Sequence, residues 1–93
     1  MTIIGRKTLD IFKRQHADAC SQIDAWEAEV KNAHWSTPHE LKQRYPSASI
    51  LPDNKVVFNI KGNKYRLLVR INYKNQILMV YEAGTHDEYM KWQ

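Results

Sequence analysis

The spacing of apolar residues changes near the middle of the chain, from a helical period to a strict period of two. Leu9, Phe12 and His16 recur at spacings of three and four, which places them on one face of a helix. A second stripe with helical spacing comprises Ala19, Ile23, Trp26, Val30 and Ala33. The pattern predicts two successive helices that are broken between His16 and Asp18, with Asp18 as a candidate cap of the second helix.

A short third helix is predicted to follow the first two. The run Thr37-Pro38-His39-Glu40 has the form of a capping box with proline at the first helical position. Pro46 sets the limit of this helix, because the residue before a proline avoids helical geometry.

From Lys55 onward, apolar and polar residues alternate as they do in β-strands. Gly62-Asn63 separates the first two strands as a two-residue hairpin loop, and Lys74-Asn75 leads into a third strand, 77–82. Residues 2–4 can add a fourth strand at one edge. The sequence therefore predicts an α+β fold in which two N-terminal helices and a short third helix pack on a three- or four-stranded antiparallel sheet.

The predicted register separates a polar sheet face from an apolar one. A two-residue loop at Gly62-Asn63 pairs Lys61 with Lys64, Asn59 with Arg66, Val57 with Leu68 and Lys55 with Arg70 on one face. The opposite face is apolar and is expected to form the core with the helices. A two-residue loop at Lys74-Asn75 pairs Met79 with Arg70, Tyr81 with Leu68 and Ala83 with Arg66, so the chain leaves the sheet beside Arg66 through 84–86.

The composition limits the type of protein. A chain of 93 residues with 43% hydrophobic residues fits one domain, 1–93. One cysteine and no apolar run of membrane-spanning length favour a cytoplasmic protein without a membrane segment. Residues 54–81 contain six basic side chains and no acidic one, which favours an anionic partner such as a phosphate backbone. A solvated sheet face explains the same charges equally well.

Arg66, His86 and Tyr89 are the residues that combine phosphate binding with proton transfer. RNA cleavage requires a base for the 2′-hydroxyl, a positive group for the phosphate and an acid for the 5′-oxygen. Arg66 suits the phosphate, His86 can transfer protons near neutral pH, and Tyr89 can assist or stack on a base. No metal site and no cofactor are expected, because the histidines and Cys20 lack a ligand spacing and no glycine-rich phosphate loop is present.

Two segments carry a resemblance to a known family. The run from Val57 to Leu67, followed by Gly84-Thr85-His86-Asp87-Glu88-Tyr89, resembles the HigB-type toxins of type II toxin-antitoxin systems. Trp26, Trp35 and Leu41-Lys42 extend the similarity over nearly the whole chain.

The resemblance implies a RelE/ParE-like fold and a metal-independent endoribonuclease that cleaves mRNA, commonly in the ribosomal A site. It also implies a HigA-type helix-turn-helix antitoxin as partner, through which alone the toxin would contact operator DNA. The family motif corresponds here to Asn63, Arg66, Thr85, His86 and Tyr89, with Lys64 as an added cation. After Tyr89 the family usually has an aspartate, whereas this chain has Met90 and Lys91.

The sequence thus predicts a catalytic set of Arg66, His86 and Tyr89. Around it, we expect an RNA- or phosphate-binding set that comprises Lys55, Lys61, Asn63, Lys64, Arg70, Tyr81 and Thr85. Two other functions remain open: a toxin of the same fold that inhibits gyrase, and a non-catalytic module that binds RNA or the ribosome.

Overall fold

Five strands and four helices make up the described part of the chain. The computed structural model describes residues 1–91, so the last two residues of the predicted domain lie outside it. In chain order, the elements are β1 (Thr2–Ile4), α1 (Arg6–Gln15), a 3₁₀ turn (Ala17–Ala19), α2 (Cys20–Asn32), α3 (Pro38–Arg44), β2 (Ser49–Leu51), β3 (Lys55–Ile60), β4 (Tyr65–Asn72), β5 (Ile77–Thr85) and α4 (His86–Met90).

The α+β class and the three predicted helices are confirmed, but the sheet has five strands rather than three or four. Its strand order is β1-β5-β4-β3-β2. The edge strand β1 was predicted, but it pairs parallel to β5, so the expectation of a wholly antiparallel sheet is wrong at that edge. The other edge strand, β2, was not predicted. Its three residues are too few for an alternating pattern to emerge.

Gly5 allows β1 to lead directly into α1. Its φ angle is +89°, in the left-handed region, and it occupies the position that caps α1. A Cβ atom at this position would lie 2.6 Å from the backbone oxygen of Val80. Only glycine fits both the backbone angle and this close approach.

The break between α1 and α2 is confirmed, but the predicted cap is wrong. Ala19, rather than Asp18, precedes α2, and no side chain caps that helix. The Asp18 side chain instead bonds across the molecule to the hairpin between β3 and β4. Half of the capping box predicted for α3 is present, because the Thr37 hydroxyl accepts a hydrogen bond from the Glu40 amide. The Glu40 carboxylate accepts from the Ser36 amide rather than from that of Thr37, so the reciprocal half is wrong.

The helices cover the apolar sheet face as predicted. Both helical stripes contribute to a continuous core, in which Trp26 packs edge-on against Phe58 with 5.3 Å between ring centroids. Burying a side chain of this size contributes roughly 1.5–3 kcal/mol. Fully buried members from the helices and the sheet include Leu9, Ile23, Val30, Leu41, Val56, Phe58, Leu67, Val69 and Leu78.

The predicted β3–β4 register is confirmed. Asn59 pairs with Arg66, Val57 with Leu68, and Lys55 with Arg70. Positive φ angles occur at Lys61 (54°) and Gly62 (66°), so the left-handed positions of the turn are not the two predicted loop residues, Gly62 and Asn63. The Lys64 amide bonds to the Lys61 carbonyl and closes this turn.

The β4–β5 register is confirmed only as far as Val69 and Val80. Arg70 pairs with Met79 as predicted, but a bulge then shifts the pairing by one residue. Leu68 therefore pairs with Glu82 and Arg66 with Gly84, so the predictions of Tyr81 opposite Leu68 and Ala83 opposite Arg66 are wrong. The bulge inserts Tyr81 as an extra residue between paired positions, a change that alternation alone does not reveal.

Within residues 1–91, none of the helices combines the length and the apolar character that crossing a membrane requires.

Candidate active site

Arg66 lies near the start of β4, on the sheet face opposite the main core. Its side chain is nearly buried, with the residue 9% exposed. The guanidinium folds back toward the hairpin, where Nη1 donates to the carbonyl oxygens of Asn63 at 2.8 Å and Tyr65 at 3.4 Å. Because these bonds hold the guanidinium close to the chain, its position depends on the conformation of the turn.

His86 meets this guanidinium at the point where β5 ends. Arg66 Nη2 lies 3.2 Å from His86 Nδ1. A guanidinium can only donate hydrogen bonds, so Nδ1 must accept, and the proton of the neutral imidazole is then on Nε2. The predicted proximity of Arg66 to the strand exit is therefore observed, although Gly84 rather than Ala83 is the residue opposite Arg66.

The short helix α4 positions His86 and Tyr89, and it was not predicted. Thr85 caps the helix by accepting from the Glu88 amide at 3.2 Å, while the Glu88 carboxylate accepts from the Thr85 amide at 3.0 Å. This reciprocal capping box was visible in the sequence as Thr85-x-x-Glu88. This capping box therefore explains why a helix that carries two candidate catalytic residues begins at His86.

Tyr89 supports the guanidinium from α4. The Cζ atom of Arg66 lies 5.5 Å from the centre of the Tyr89 ring, within cation–π range. The rings of His86 and Tyr89 are tilted by 37° with centroids 6.4 Å apart. Tyr89 also lines a groove on the outer sheet face together with Lys55, Val57 and Leu68.

Lys61 and Lys64, both predicted to bind phosphate, are paired with Asp18. The Asp18 carboxylate accepts from Lys64 Nζ at 2.7 Å and from the Tyr65 hydroxyl at 2.6 Å, and Lys61 Nζ lies 3.7 Å away. The hydrogen bond from Lys64, followed by that from Tyr65, lowers the pKa of Asp18 well below its ordinary value. The same contact raises the pKa of Lys64. No local sequence pattern indicated this role of Asp18, because the contacts join residues 46 and 47 positions apart.

The remaining predicted RNA-binding residues lie farther along the outer face. Lys55 and Arg70 are cross-strand partners, and Arg70 shares a groove with Met79 and Tyr81. The acidic Glu82 pairs with Leu68 in the same part of the sheet. The face is therefore less uniformly cationic than residues 54–81 alone suggested.

The structure thus divides the predicted residues into three groups. Asn63, Arg66, Thr85, His86 and Tyr89 lie together; Lys61 and Lys64 pair with Asp18; Lys55, Arg70 and Tyr81 lie along the outer face. Among residues 1–91, no three or more His, Cys, Asp or Glu side chains form a group that could hold a metal ion.

The sequence matches a known toxin family over most of its length. A family model for HigB toxins, described as the RelE-like toxic component of a toxin-antitoxin system, matches residues 19–92. The chain belongs to this family. It is therefore the toxin of a toxin-antitoxin system, and the resemblance seen in the sequence is confirmed.

Individual HigB proteins match almost end to end. The mRNA interferase toxin HigB of Escherichia coli strain K12 is 25% identical over 91 residues, which cover 96% of this chain and 88% of that protein. The mRNA interferases HigB of Escherichia coli O157:H7 and Shigella flexneri match with the same identity and coverage.

Proposed function

We propose that this HigB-family toxin is an endoribonuclease that cleaves mRNA bound to the ribosome and thereby inhibits translation. The observation that carries the proposal is the contact between Arg66 and His86, in which a phosphate-binding group lies 3.2 Å from a proton-transfer group. The relatives named mRNA interferase support the same reaction. The proposed mechanism requires no metal ion, because side chains supply both the positive charge and the proton transfer.

In this mechanism Arg66 binds the scissile phosphate and His86 is the base. Within residues 1–91 the guanidinium makes three donor contacts, so two of its five N–H groups make none there and can donate to phosphate oxygens. As the guanidinium turns toward the phosphate, it releases the lone pair of His86 Nδ1. This nitrogen then takes the proton of the 2′-hydroxyl, and the 2′-oxygen attacks phosphorus.

Arg66 stabilises the negative charge that develops on the phosphate during this attack. The bond between phosphorus and the 5′-oxygen then breaks, leaving a 2′,3′-cyclic phosphate on one fragment. The other fragment leaves with a 5′-hydroxyl after its oxygen gains a proton. Tyr89 holds the guanidinium through its ring, and it is one candidate for a group that assists this last proton transfer.

The outer face provides further contacts for the RNA strand. Lys55 and Arg70 can bind neighbouring phosphates, and the exposed ring of Tyr81 can stack on a base. Lys61 and Lys64 would reach phosphates only by loosening their contacts with Asp18, while Asn63 and Thr85 flank the guanidinium and the histidine. This arrangement favours an extended single strand.

The cognate partner in this proposal is a HigA-type helix-turn-helix antitoxin. It would neutralise the toxin by covering the site or by displacing the C-terminal segment, since either change removes the phosphate-binding geometry. Contact with operator DNA would occur only through the antitoxin.

Induction of the toxin in cells, followed by mapping of message ends, tests the proposal. We expect growth arrest and new message ends with the natural chain, and loss of both in folded Arg66→Ala and His86→Ala variants. Arg14→Ala and His34→Ala are matched controls, because both side chains are exposed and lie outside the site. They should retain full toxicity.

Undiminished toxicity in both site variants would contradict the proposal. Arrest without new message ends would favour the alternatives. Loss of supercoiling by purified gyrase would then identify a gyrase inhibitor, whereas salt-dependent RNA binding without cleavage would identify a non-catalytic module.

A further inference from the structure

A groove at the hairpin end of the sheet brings together two histidines from distant parts of the chain. His16 follows α1 and His86 begins α4. The groove has a volume of about 430 Å³, and its lining comprises His16, Lys64, Tyr65, Thr85, His86 and Asp87. His86 therefore faces a space that it shares with a second titratable imidazole.

Aromatic packing holds the ring of His16, whereas its nitrogen atoms have no hydrogen-bond partner among the described residues. Its centroid lies 4.5 Å from that of Phe12 and 5.0 Å from that of Tyr65. Its backbone amide donates to the Phe12 carbonyl at 2.9 Å, so the backbone is fixed as well. Within residues 1–91, neither ring nitrogen of His16 takes part in a hydrogen bond, and the residue is partly exposed. The position of the ring is therefore fixed, while its nitrogen atoms can form a hydrogen bond to a ligand in the groove.

The proposed cleavage requires an acid in addition to a base. The bond from Arg66 to His86 requires an unprotonated Nδ1, which is the state of a base. Tyr89 lines a different groove, together with Lys55 and Leu68. His16, by contrast, lines the same groove as His86.

We propose that His16 is a further catalytic residue, which donates a proton to the departing 5′-oxygen. The inference rests on the proposed endoribonuclease function and deepens it. His86 takes the 2′-hydroxyl proton, the new bond from the 2′-oxygen to phosphorus forms, and the bond from phosphorus to the 5′-oxygen breaks. The 5′-oxygen takes a proton from the His16 imidazolium, which becomes neutral imidazole.

The charged neighbours of His16 are compatible with a phosphate between the two histidines. Lys64 and Asp87 line the groove, and Asp18 binds both Lys64 and Tyr65 at its margin. Lys64 can supply positive charge to a phosphate beside His16 once its contact with Asp18 loosens. The family match begins only at residue 19, so it does not include His16.

His16→Phe separates catalysis from packing. Phenylalanine keeps an aromatic ring between Phe12 and Tyr65 but cannot donate a proton. We expect a folded protein that cleaves a ribosome-bound message about 10²-fold more slowly or worse, as for loss of a general acid. His16→Gln provides a second, polar variant, and Tyr89→Phe tests the competing candidate for the acid.

A message with sulfur in place of the 5′-oxygen at the cleaved bond provides the decisive readout. A thiolate leaves without protonation, so the natural protein and His16→Phe should cleave this message at rates within about threefold of each other. His86→Ala should remain impaired, because the 2′-hydroxyl still needs a base.

The inference would be overturned if both folded His16 variants cleaved the ordinary message at the natural rate. Equal impairment of both His16 variants on the two messages would indicate a structural role and would also overturn the inference. The same holds if the sulfur-containing message restored the cleavage rate of Tyr89→Phe but not that of the His16 variants. Cleavage by the natural protein in these cases would leave the proposed function intact. Failure of the natural protein to cleave either message would overturn both.

Discussion

At the scale of single residues, the geometry of the candidate site depends on which groups accept hydrogen bonds from the Arg66 guanidinium. Arg66 is nearly buried, and its guanidinium makes three donor contacts with residues 1–91. A lysine would keep the charge but would lose the planar fork that reaches the hairpin carbonyls and His86 together. The choice of arginine is therefore explained by geometry as well as by charge.

The Asp18 carboxylate is expected to make the stability of the folded chain depend on pH in acid. Hydrogen bonds from Lys64 and Tyr65 lower the pKa of Asp18 in the folded state. The unfolded chain takes up a proton near pH 4, while the folded chain stays ionised at lower pH. This contribution to stability is thus complete above about pH 5 and is lost as the pH falls from there toward the lower folded pKa.

We therefore expect proton uptake on unfolding near pH 3 to be smaller in Asp18→Asn than in the natural chain. Thermal unfolding between about pH 2.5 and 6 measures this difference. The natural chain should lose its advantage in Tm over Asp18→Asn as the pH falls. Asp53→Asn is the control, because Asp53 is exposed and has a positive φ angle that asparagine tolerates. A pH-independent difference between the natural chain and Asp18→Asn would contradict the assignment.

At the scale of elements, the sequence predicted what depends on local periodicity. The long strands β3 and β4 and their register follow from alternation, so the pairing of Arg66 with Asn59 was predictable. The bulge at Tyr81 and the direction of β1 depend on tertiary packing, which alternation does not encode.

The candidate site was predictable in part for the same reason. The proximity of Arg66 to His86 followed from strand register, whereas the pairing of Asp18 with Lys64 joins segments that no local pattern relates. The helix α4 had a readable signal in its capping box, but its five residues are too few for helical periodicity to indicate.

The capping box of α4 is expected to support cleavage, because it stabilises the helix that carries His86 and Tyr89. Thr85→Ala removes the cap and should cost about 1 kcal/mol of helix stability. Because α4 carries His86 and Tyr89, we expect the cleavage rate to fall, and Glu88→Ala should lower it as well. Thr85→Ser and Glu88→Gln retain the capping groups and should keep activity near the natural level.

Cleavage rates and Tm values of the four variants test this account. An effect of Thr85→Ala without any effect of Glu88→Ala would assign the Thr85 hydroxyl to RNA binding alone, and the proposed role of the helix would be wrong.

At the scale of the whole molecule, the core residues and the candidate catalytic residues lie in different parts of the fold. The first three helices and the apolar sheet face form the core, while Arg66, Lys55 and Arg70 lie on the other face. The candidate catalytic residues lie together at one end of the sheet, where the β3–β4 hairpin and α4 position them. Replacing Arg66 or His86 by alanine should therefore abolish toxicity while leaving the core packed.

The chemistry of the RNA ends shows whether the 2′-hydroxyl of the message or a water molecule attacks the phosphate. A ribosome-bound message treated with the purified toxin should yield fragments that end in a 2′,3′-cyclic phosphate and begin with a 5′-hydroxyl. Folded Arg66→Ala and His86→Ala proteins should yield neither. Fragments from the natural toxin that begin with a 5′-phosphate, or equal cleavage by either variant, would contradict a reaction in which Arg66 binds the phosphate and His86 activates the 2′-hydroxyl.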